Sequence, residues 1–381
     1  MGRLVVRVGV VSHTYVEGEN RKKLHALARA GHDVTVFVPA RWTEGMLGKS
    51  WITTPERAAG IRICPVSVKR LRRSPATAWW SIRPIRRFLT DQNPELVHVE
   101  EEPWSIAASR VIRLCRARGV PTTLFTWQNI AGHPRWPLSA LRRTTARAAD
   151  GWIAGNRVAA NLLRVLDDRK PLIVLPQLGI DPPTNRQSRQ QSVAIQIGYV
   201  GRLVPEKGVD DLIVAFSKLD QPEATLSIVG DGPYRRPLEE LADQLDVGAR
   251  VHFAGAFSHA NVASELQRLD ILVLPSRTTS RWIEQFGHVL VEGMAAGTAV
   301  VGSDSGAIPE VIGEGGVVFP EGDRDALCSI LDELCRPSAL QDHQRRARSR
   351  ANDYTHDVIA TTLADFWQVV VGASRKRTRR A

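Results

Sequence analysis

Residues 196–216 read QIGYVGRLVPEKGVDDLIVAF. A β-branched run ends at Gly201, a loop carrying Arg202, Pro205 and Lys207 follows, and from about Val209 a helix begins. A strand that passes through a short loop into a helix is one half of a βαβ unit, whose strands run parallel. The alternation continues downstream with TLSIVG (225–230), a helix from about Pro237, VHFAG (251–255), ILVLPS (271–276), a helix across Val289 to Ala296, and AVVGS (299–303). Upstream it reads VVRVGVV (5–11), a helix from Asn20 to Ala30 closed by Gly31, DVTVFVP (33–39), ELVHVE (95–100), TTLFTWQ (122–128), GWIAGN (151–156) and LIVLPQ (172–177). The polar stretch PTNRQSRQQS (183–192) separates the two series and reads as a linker.

The fold class is therefore α/β, with two doubly wound, Rossmann-like parallel-sheet domains. The expected boundaries are residues 1–182 for the first domain, 183–194 for the linker and 195–353 for the second domain. Residues 354–372 read as a last helix, and 373–381 as a basic tail too charged to pack, hence disordered. Open sheets of this kind bind ligands at the carboxyl ends of their strands, so two of them are expected to face a shared cleft and make a two-substrate enzyme.

Composition narrows the classes. The chain has 381 residues, 43% hydrophobic and 24% charged, which is ordinary for a folded globular protein. No stretch approaches the ~20 apolar residues of a membrane-spanning helix. Arg7 interrupts the first apolar run and no small-residue cleavage site follows, so that run reads as a strand rather than a leader. Cys64, Cys115, Cys328 and Cys335 show neither C-x-x-C spacing nor a disulfide framework, and the cytoplasm is the expected compartment. The seven-residue spacing of Cys328 and Cys335 suggests the core face of a helix. Charge is uneven: residues 1–190 hold 31 Lys/Arg against 14 Asp/Glu, and residues 191–381 hold 20 against 26. One half is thus suited to a polyanionic surface, nucleic acid or an anionic membrane.

Three motifs carry chemistry. In the first, Gly201, Arg202 and Lys207 present two cations ahead of a helix N-terminus, a setting that suits a diphosphate and equally a solvated loop. The second runs from Pro275-Ser276 through Glu284, Phe286, Gly287, His288, Val289 and Glu292 to Gly297. A carboxylate on the loop (Glu284) and one on the helix (Glu292) can accept hydrogen bonds from sugar and ribose hydroxyls, or simply complement the helix dipole. The third, Val229-Gly230-Asp231-Gly232-Pro233, is a glycine-rich strand-to-helix turn.

In this order the motifs resemble family-four glycosyltransferases, the retaining nucleotide-sugar enzymes of GT-B fold. The pattern is G-R-x(4)-K-G, V-G-D-G-P, V-x-F-x-G, P-S, then E-x(7)-E and M-A-x-G, spread over most of residues 196–321. The resemblance implies that Arg202 and Lys207 hold the donor diphosphate, that Glu284 meets the transferred sugar or nearby diphosphate, and that Glu292 holds the ribose. It also implies front-face attack with the departing diphosphate as base, and a last helix (357–371) that crosses back to the first domain. The first half departs from the family. Only Gly18 stands where a glycine pair is usual after the first strand, and Gln128, followed by Asn129, replaces a histidine found in many members. On the acceptor side the candidates are His13, Glu100, Glu101, Gln128 and Asn129; the run Glu100-Glu101-Glu102 reads either as a solvated turn or as ligands for acceptor hydroxyls.

No metal is expected. Asp323-Arg324-Asp325 imitates a metal-binding D-x-D but sits where a helix N-cap belongs, and His13, His98, His133 and His288 lack ligand spacing. No G-x-G-x-x-G follows the first strand, which argues against an NAD enzyme, and no cofactor is expected beyond the nucleoside-diphosphate sugar as co-substrate. Residues 66–90 hold Lys69, Arg70, Arg72, Arg73, Arg83, Arg86 and Arg87 with no acid, plus Trp79 and Trp80. This suits peripheral docking on an anionic membrane and a lipid-linked acceptor, or a plain solvated surface. The function expected is sugar transfer with retention to a hydroxyl acceptor in surface polysaccharide or glycolipid assembly. The alternatives are a non-catalytic nucleic-acid-binding protein of the same fold, or a GT-B epimerase or phosphorylase.

Overall fold

The computed structural model describes residues 5–43, 50–70, 75–131, 136–183, 194–257 and 259–378. The chain forms two compact units, one of residues 1–179 and 356–381, the other of residues 180–355. Most of the expected linker, residues 184–193, lies outside the described residues, as do Arg72, Arg73 and His133.

The first unit is built on strands β1 (Arg7–Val11), β2 (Asp33–Pro39), β3 (Glu56–Ala58), β4 (Ile61–Val66), β5 (Leu96–Val99), β6 (Thr122–Thr126), β7 (Gly151–Ala154) and β8 (Leu172–Val174). Their order in the sheet is β8-β7-β6-β5-β1-β2-β4-β3, parallel except for the edge pair β3–β4. Apart from Arg7 and Asp33 at their starts, the central strands are buried along their length, as a parallel sheet covered on both faces requires. The pair β3–β4 was not apparent in the sequence: IRICPV alternates, carries Arg62 and contains Pro65. Helices α1 (Lys22–Arg29) and α2 (Arg83–Asp91) pack on this end of the sheet.

The last helix of the chain, His356–Thr378, belongs to this first unit. It packs on α1, with Ile359, Leu363, Phe366, Trp367 and Val370 in the first unit's core. Gly151 makes room for it, since an added Cβ would lie 2.5 Å from Val370. The helix corrects the expectation of a disordered basic tail from residue 373. Lys and Arg are good helix formers and complement the negative end of the helix dipole, and Arg375 also pairs with Glu95 at 3.0 Å.

The second unit holds β9 (Gln196–Val200), β10 (Thr225–Val229), β11 (Val251–Gly255), β12 (Ile271–Leu274), β13 (Ala299–Ser303) and β14 (Gly316–Phe319), ordered β11-β10-β9-β12-β13-β14 and all parallel. This is the doubly wound arrangement in full. Helices Val209–Ser217, His288–Ala296 and Arg324–Leu334 follow β9, β12 and β14. Cys328 and Cys335 are only half-buried, so they do not mark the core face of the last of these; Leu327, Leu331 and Leu334 do.

Candidate functional site

In the second sheet β9 and β12 are hydrogen-bonded neighbours, and the chain leaves them in opposite directions. The two loops that follow therefore diverge, opening a crevice at the carboxyl ends of the strands. The first motif occupies one of these loops and the second motif the other. They meet through side chains: Lys207 Nζ donates to Glu284 Oε2 at 2.5 Å, and Ser276 Oγ donates to the same oxygen at 3.0 Å. Glu284 is 8% exposed, so this is a partly desolvated ion pair rather than a surface one. The indole of Trp282 lies 4.7 Å from the ammonium, a cation–π contact. Sequence reading missed Trp282, although it stands only two residues before Glu284.

The backbone holds this arrangement. Arg277 N donates to Glu206 O at 2.8 Å, and Ala307 N donates to Glu284 O at 3.1 Å. Arg277 also bridges to Asp211 (2.7 Å) and Asp210 (2.8 Å) at the start of the helix Val209–Ser217, where Arg324 reaches Asp211 at 2.7 Å. This charged cluster ties the two loops to one helix end, and the sequence did not reveal it. Arg202 is exposed, and its carbonyl accepts from the buried Tyr199 hydroxyl at 2.9 Å. Gly201 and Gly230 touch back to back: a Cβ on Gly230 would sit 1.8 Å from the Gly201 carbonyl oxygen, so no other residue fits. Gly232 stands beside Leu203 in the same turn.

Gly287 opens the helix His288–Ala296 from a left-handed conformation, φ +76°, which glycine adopts without steric cost. Phe286 is buried edge-on against Tyr354, 5.7 Å between centroids, and Val289 is half-buried in the first turn. One turn on, Glu292 Oε1 lies 3.6 Å from His288 Nε2. The helix N-terminus, Glu284 and Lys207 thus share the carboxyl edge of the sheet.

The first sheet has its own switch, between β1 and β5. Beyond β1, His13 donates its backbone N–H to Glu101 Oε1 at 2.7 Å, and its Nδ1 lies 2.6 Å from the same oxygen. The His13 ring rests on Trp42, centroids 4.9 Å apart. Glu101 is buried, His13 half-exposed. Glu100 departs from both expectations for the acidic run. It is fully buried, and its oxygens accept from Lys23 Nζ (2.7 Å), His98 Nε2 (2.8 Å), the Tyr15 hydroxyl (2.6 Å) and Gln177 Nε2 (3.1 Å). With four partners inside its own unit it is structural, neither solvated nor available to a hydroxyl ligand. Burial alone would raise its pKa, but the Lys23 charge and the His98 hydrogen bond hold it well below the usual carboxylate range. Burial lowers the pKa of His98, against the hydrogen bond and charge of Glu100 that would raise it. Glu102 is different again: burial pushes it up to about 7, against hydrogen bonds from Thr126 and Trp127 that favour the charged form. Gln128 and Asn129 are buried in the next loop, Gln128 N donating to Thr126 Oγ1 at 3.0 Å. Gly18 begins the short turn Gly18–Arg21, and an added Cβ would meet nothing within 4 Å, so glycine is not required there.

Asp323 accepts from Ala326 N at 2.9 Å as the N-cap of its helix, and Asp325 pairs with Lys218. Among the described residues no cluster of His, Cys, Asp and Glu is arranged to hold a metal, and no helix is long and apolar enough to cross a membrane. In the basic stretch the two tryptophans part company. Trp79 is exposed and stacks on Arg110, 3.8 Å from guanidinium to centroid. Trp80 is 1% exposed and belongs to the core, which corrects its reading as an interfacial residue.

Known proteins resemble both units. Residues 183–353 match the family described as glycosyl transferases group 1, and residues 21–176 the glycosyl transferase 4-like domain. A glycogen synthase of Mycobacterium tuberculosis is 30% identical over 390 residues, covering 92% of this chain and 89% of that protein. The phosphatidyl-myo-inositol mannosyltransferase of Mycolicibacterium smegmatis is 26% identical over 387 residues, covering 97% and 92%. Among solved structures, Anabaena HepE in complex with UDP superposes with a TM-score of 0.70 at 17% identity, over 96% of this chain and 100% of that one. These likenesses support sugar transfer and give no support to a nucleic-acid-binding protein, an epimerase or a phosphorylase.

Proposed function

The chain belongs to the glycosyltransferases of family four, with the GT-B fold, and on that premise we propose that it transfers a sugar from a nucleoside-diphosphate sugar to a hydroxyl acceptor, with retention and without a metal ion. The observation that carries this reading is the Lys207–Glu284 pair at the switch point of the second sheet. Arg202 and Lys207 would take the diphosphate, with the N-terminus of the helix His288–Ala296 adding its dipole. A diphosphate that draws Lys207 away leaves Glu284 with a free oxygen, held by Ser276, for a sugar hydroxyl. Glu292 takes the ribose.

In the reaction the bond from the anomeric carbon to the diphosphate oxygen breaks, and its electron pair leaves on the diphosphate. The acceptor oxygen bonds to the same face of the sugar, and its proton passes to a diphosphate oxygen. Fixed positive groups aimed at the leaving oxygens stabilise the charge as it develops. His13, oriented by Glu101, is assigned to the acceptor hydroxyl. The acceptor is lipid-linked, consistent with the mycobacterial relative named for phosphatidyl-myo-inositol and with the exposed Arg86 and Arg87 as part of a peripheral contact with an anionic membrane. Titration with UDP, GDP and ADP, followed by turnover with the matching nucleotide sugars in excess EDTA, tests the reading. At least one nucleotide should bind and turnover should survive the chelator with retained anomeric configuration. Activity lost in EDTA and restored by Mg²⁺ or Mn²⁺ would contradict the metal-free mechanism.

A further inference from the structure

A cavity of about 420 Å³ lies in the first unit between α2 and the strands β2 and β4, away from the switch point. Its origin is visible in β4. A strand covered by helices on both faces is apolar throughout, but here Ile61 and Ile63 are buried while Arg62 and Cys64, on the other face, are not. Phe88 of α2 packs edge-on against Phe37 of β2, 5.3 Å between centroids, and the two rings form part of the lining. Beyond them the helix leaves β4 uncovered, and the space is bordered by Arg62, Arg83 and Arg87 with only Asp91 opposing them.

The three guanidinium groups have no carboxylate within ion-pair distance among the described residues. Elsewhere in the unit arginines find acids readily, as in Arg7–Asp33, Arg21–Glu56 and Arg29–Asp357. Arg83 and Arg87 stand four apart on one helix, a like-charge spacing that disfavours the helix unless an anion lies between them. The volume is that of a small-molecule site, whose usual make-up is an apolar and aromatic lining with a few polar or charged groups.

We propose that this cavity binds a phosphate ester, its phosphate held by Arg62, Arg83 and Arg87 and its organic portion against Phe37 and Phe88. The ester is either a free metabolite or the headgroup of a lipid, and Cys64 in the lining gives a local reporter. Alkylation of Cys64 in the full chain, followed by peptide mass spectrometry with half-buried Cys328 and Cys335 as references, should be slowed by the ligand. The probes are glycerol 3-phosphate and dihexanoyl phosphatidic acid below its micellar concentration. Protection by both assigns a free ester; protection by the lipid alone assigns a headgroup. The exposed pair Arg83→Gln/Arg87→Gln should raise the half-protecting concentration about a hundredfold, about tenfold per charge-assisted contact, and Arg83→Lys/Arg87→Lys should restore part of it. UDP binding should be unchanged in both variants. No protection by either probe at 10 mM, or equal protection of the Gln variant and the wild type, would overturn the proposal.

Discussion

Glu284→Gln separates two roles that the site gives to one carboxylate. The substitution keeps the volume and the oxygen that Ser276 reaches, but removes the charge that Lys207 faces at 2.5 Å. Lys207 and Glu284 side chains are 18% and 10% exposed, so their attraction is only partly screened. A hydrogen bond between charged partners is worth roughly 1.5–3 kcal/mol net. Lys207 gives up part of that when it turns to a diphosphate. If about 1 kcal/mol is recovered on removing the competing charge, nucleotide affinity should rise about fivefold. Lys207→Ala should lower it about ten- to a hundredfold, and by more in the Glu284→Gln background than alone. Turnover should respond in the opposite sense, because the proposed sugar contact is lost: kcat of Glu284→Gln should fall about a hundredfold while KM for the donor does not rise. Isothermal titration of the four proteins with the nucleotide that binds, beside initial rates, reads both effects. Weaker nucleotide binding by Glu284→Gln, or an identical cost of Lys207→Ala in both backgrounds, would refute the competition between carboxylate and diphosphate.

Two further predictions concern the first unit's buried acids. Glu100→Gln leaves the Lys23 ammonium, 2% exposed, without its counter-charge and should destabilise the protein by about 3–5 kcal/mol, while adding Lys23→Met should recover most of the loss in urea unfolding; equal stability of the single and double variants would count against the pairing. Glu102 has a folded pKa of about 7, above its unfolded value, so the folded state binds the extra proton. Its contribution is fully present below the unfolded pKa, near 4.5, and is lost as pH rises through about 7, at a cost of up to about 3 kcal/mol. Glu102→Gln should therefore gain on the wild type between pH 5.5 and 8.5, and parallel stability curves would show that the group is not held neutral.

The sequence disclosed the proposed donor site more fully than the proposed acceptor side, and the residues show why. Gly201, Arg202 and Lys207 announce themselves within one loop, and the only long-range fact needed is that β9 and β12 are neighbours. That adjacency brings Glu284 to Lys207 across 77 positions. The acidic run offered no such help. Three consecutive glutamates meet three environments: Glu100 points inward to a lysine from a distant helix, Glu101 meets a histidine beyond β1, and Glu102 is capped by the loop after β6. Each partner is supplied by tertiary structure, so identical side chains in a row carried no signal of their separate fates. The tryptophans were different, because a local rule was available. Trp79 and Trp80 lie on one short strand, Ala78–Trp80, where successive side chains face opposite ways, so both cannot meet the same medium. The burial pattern, exposed then buried, follows that rule. The same period of two, read along Ile61–Cys64, turns Arg62 and Cys64 away from the core and into the lining of the cavity under α2. Where a pattern of apolar and polar residues is out of step with the layer that should cover it, the gap is where a ligand has room to bind.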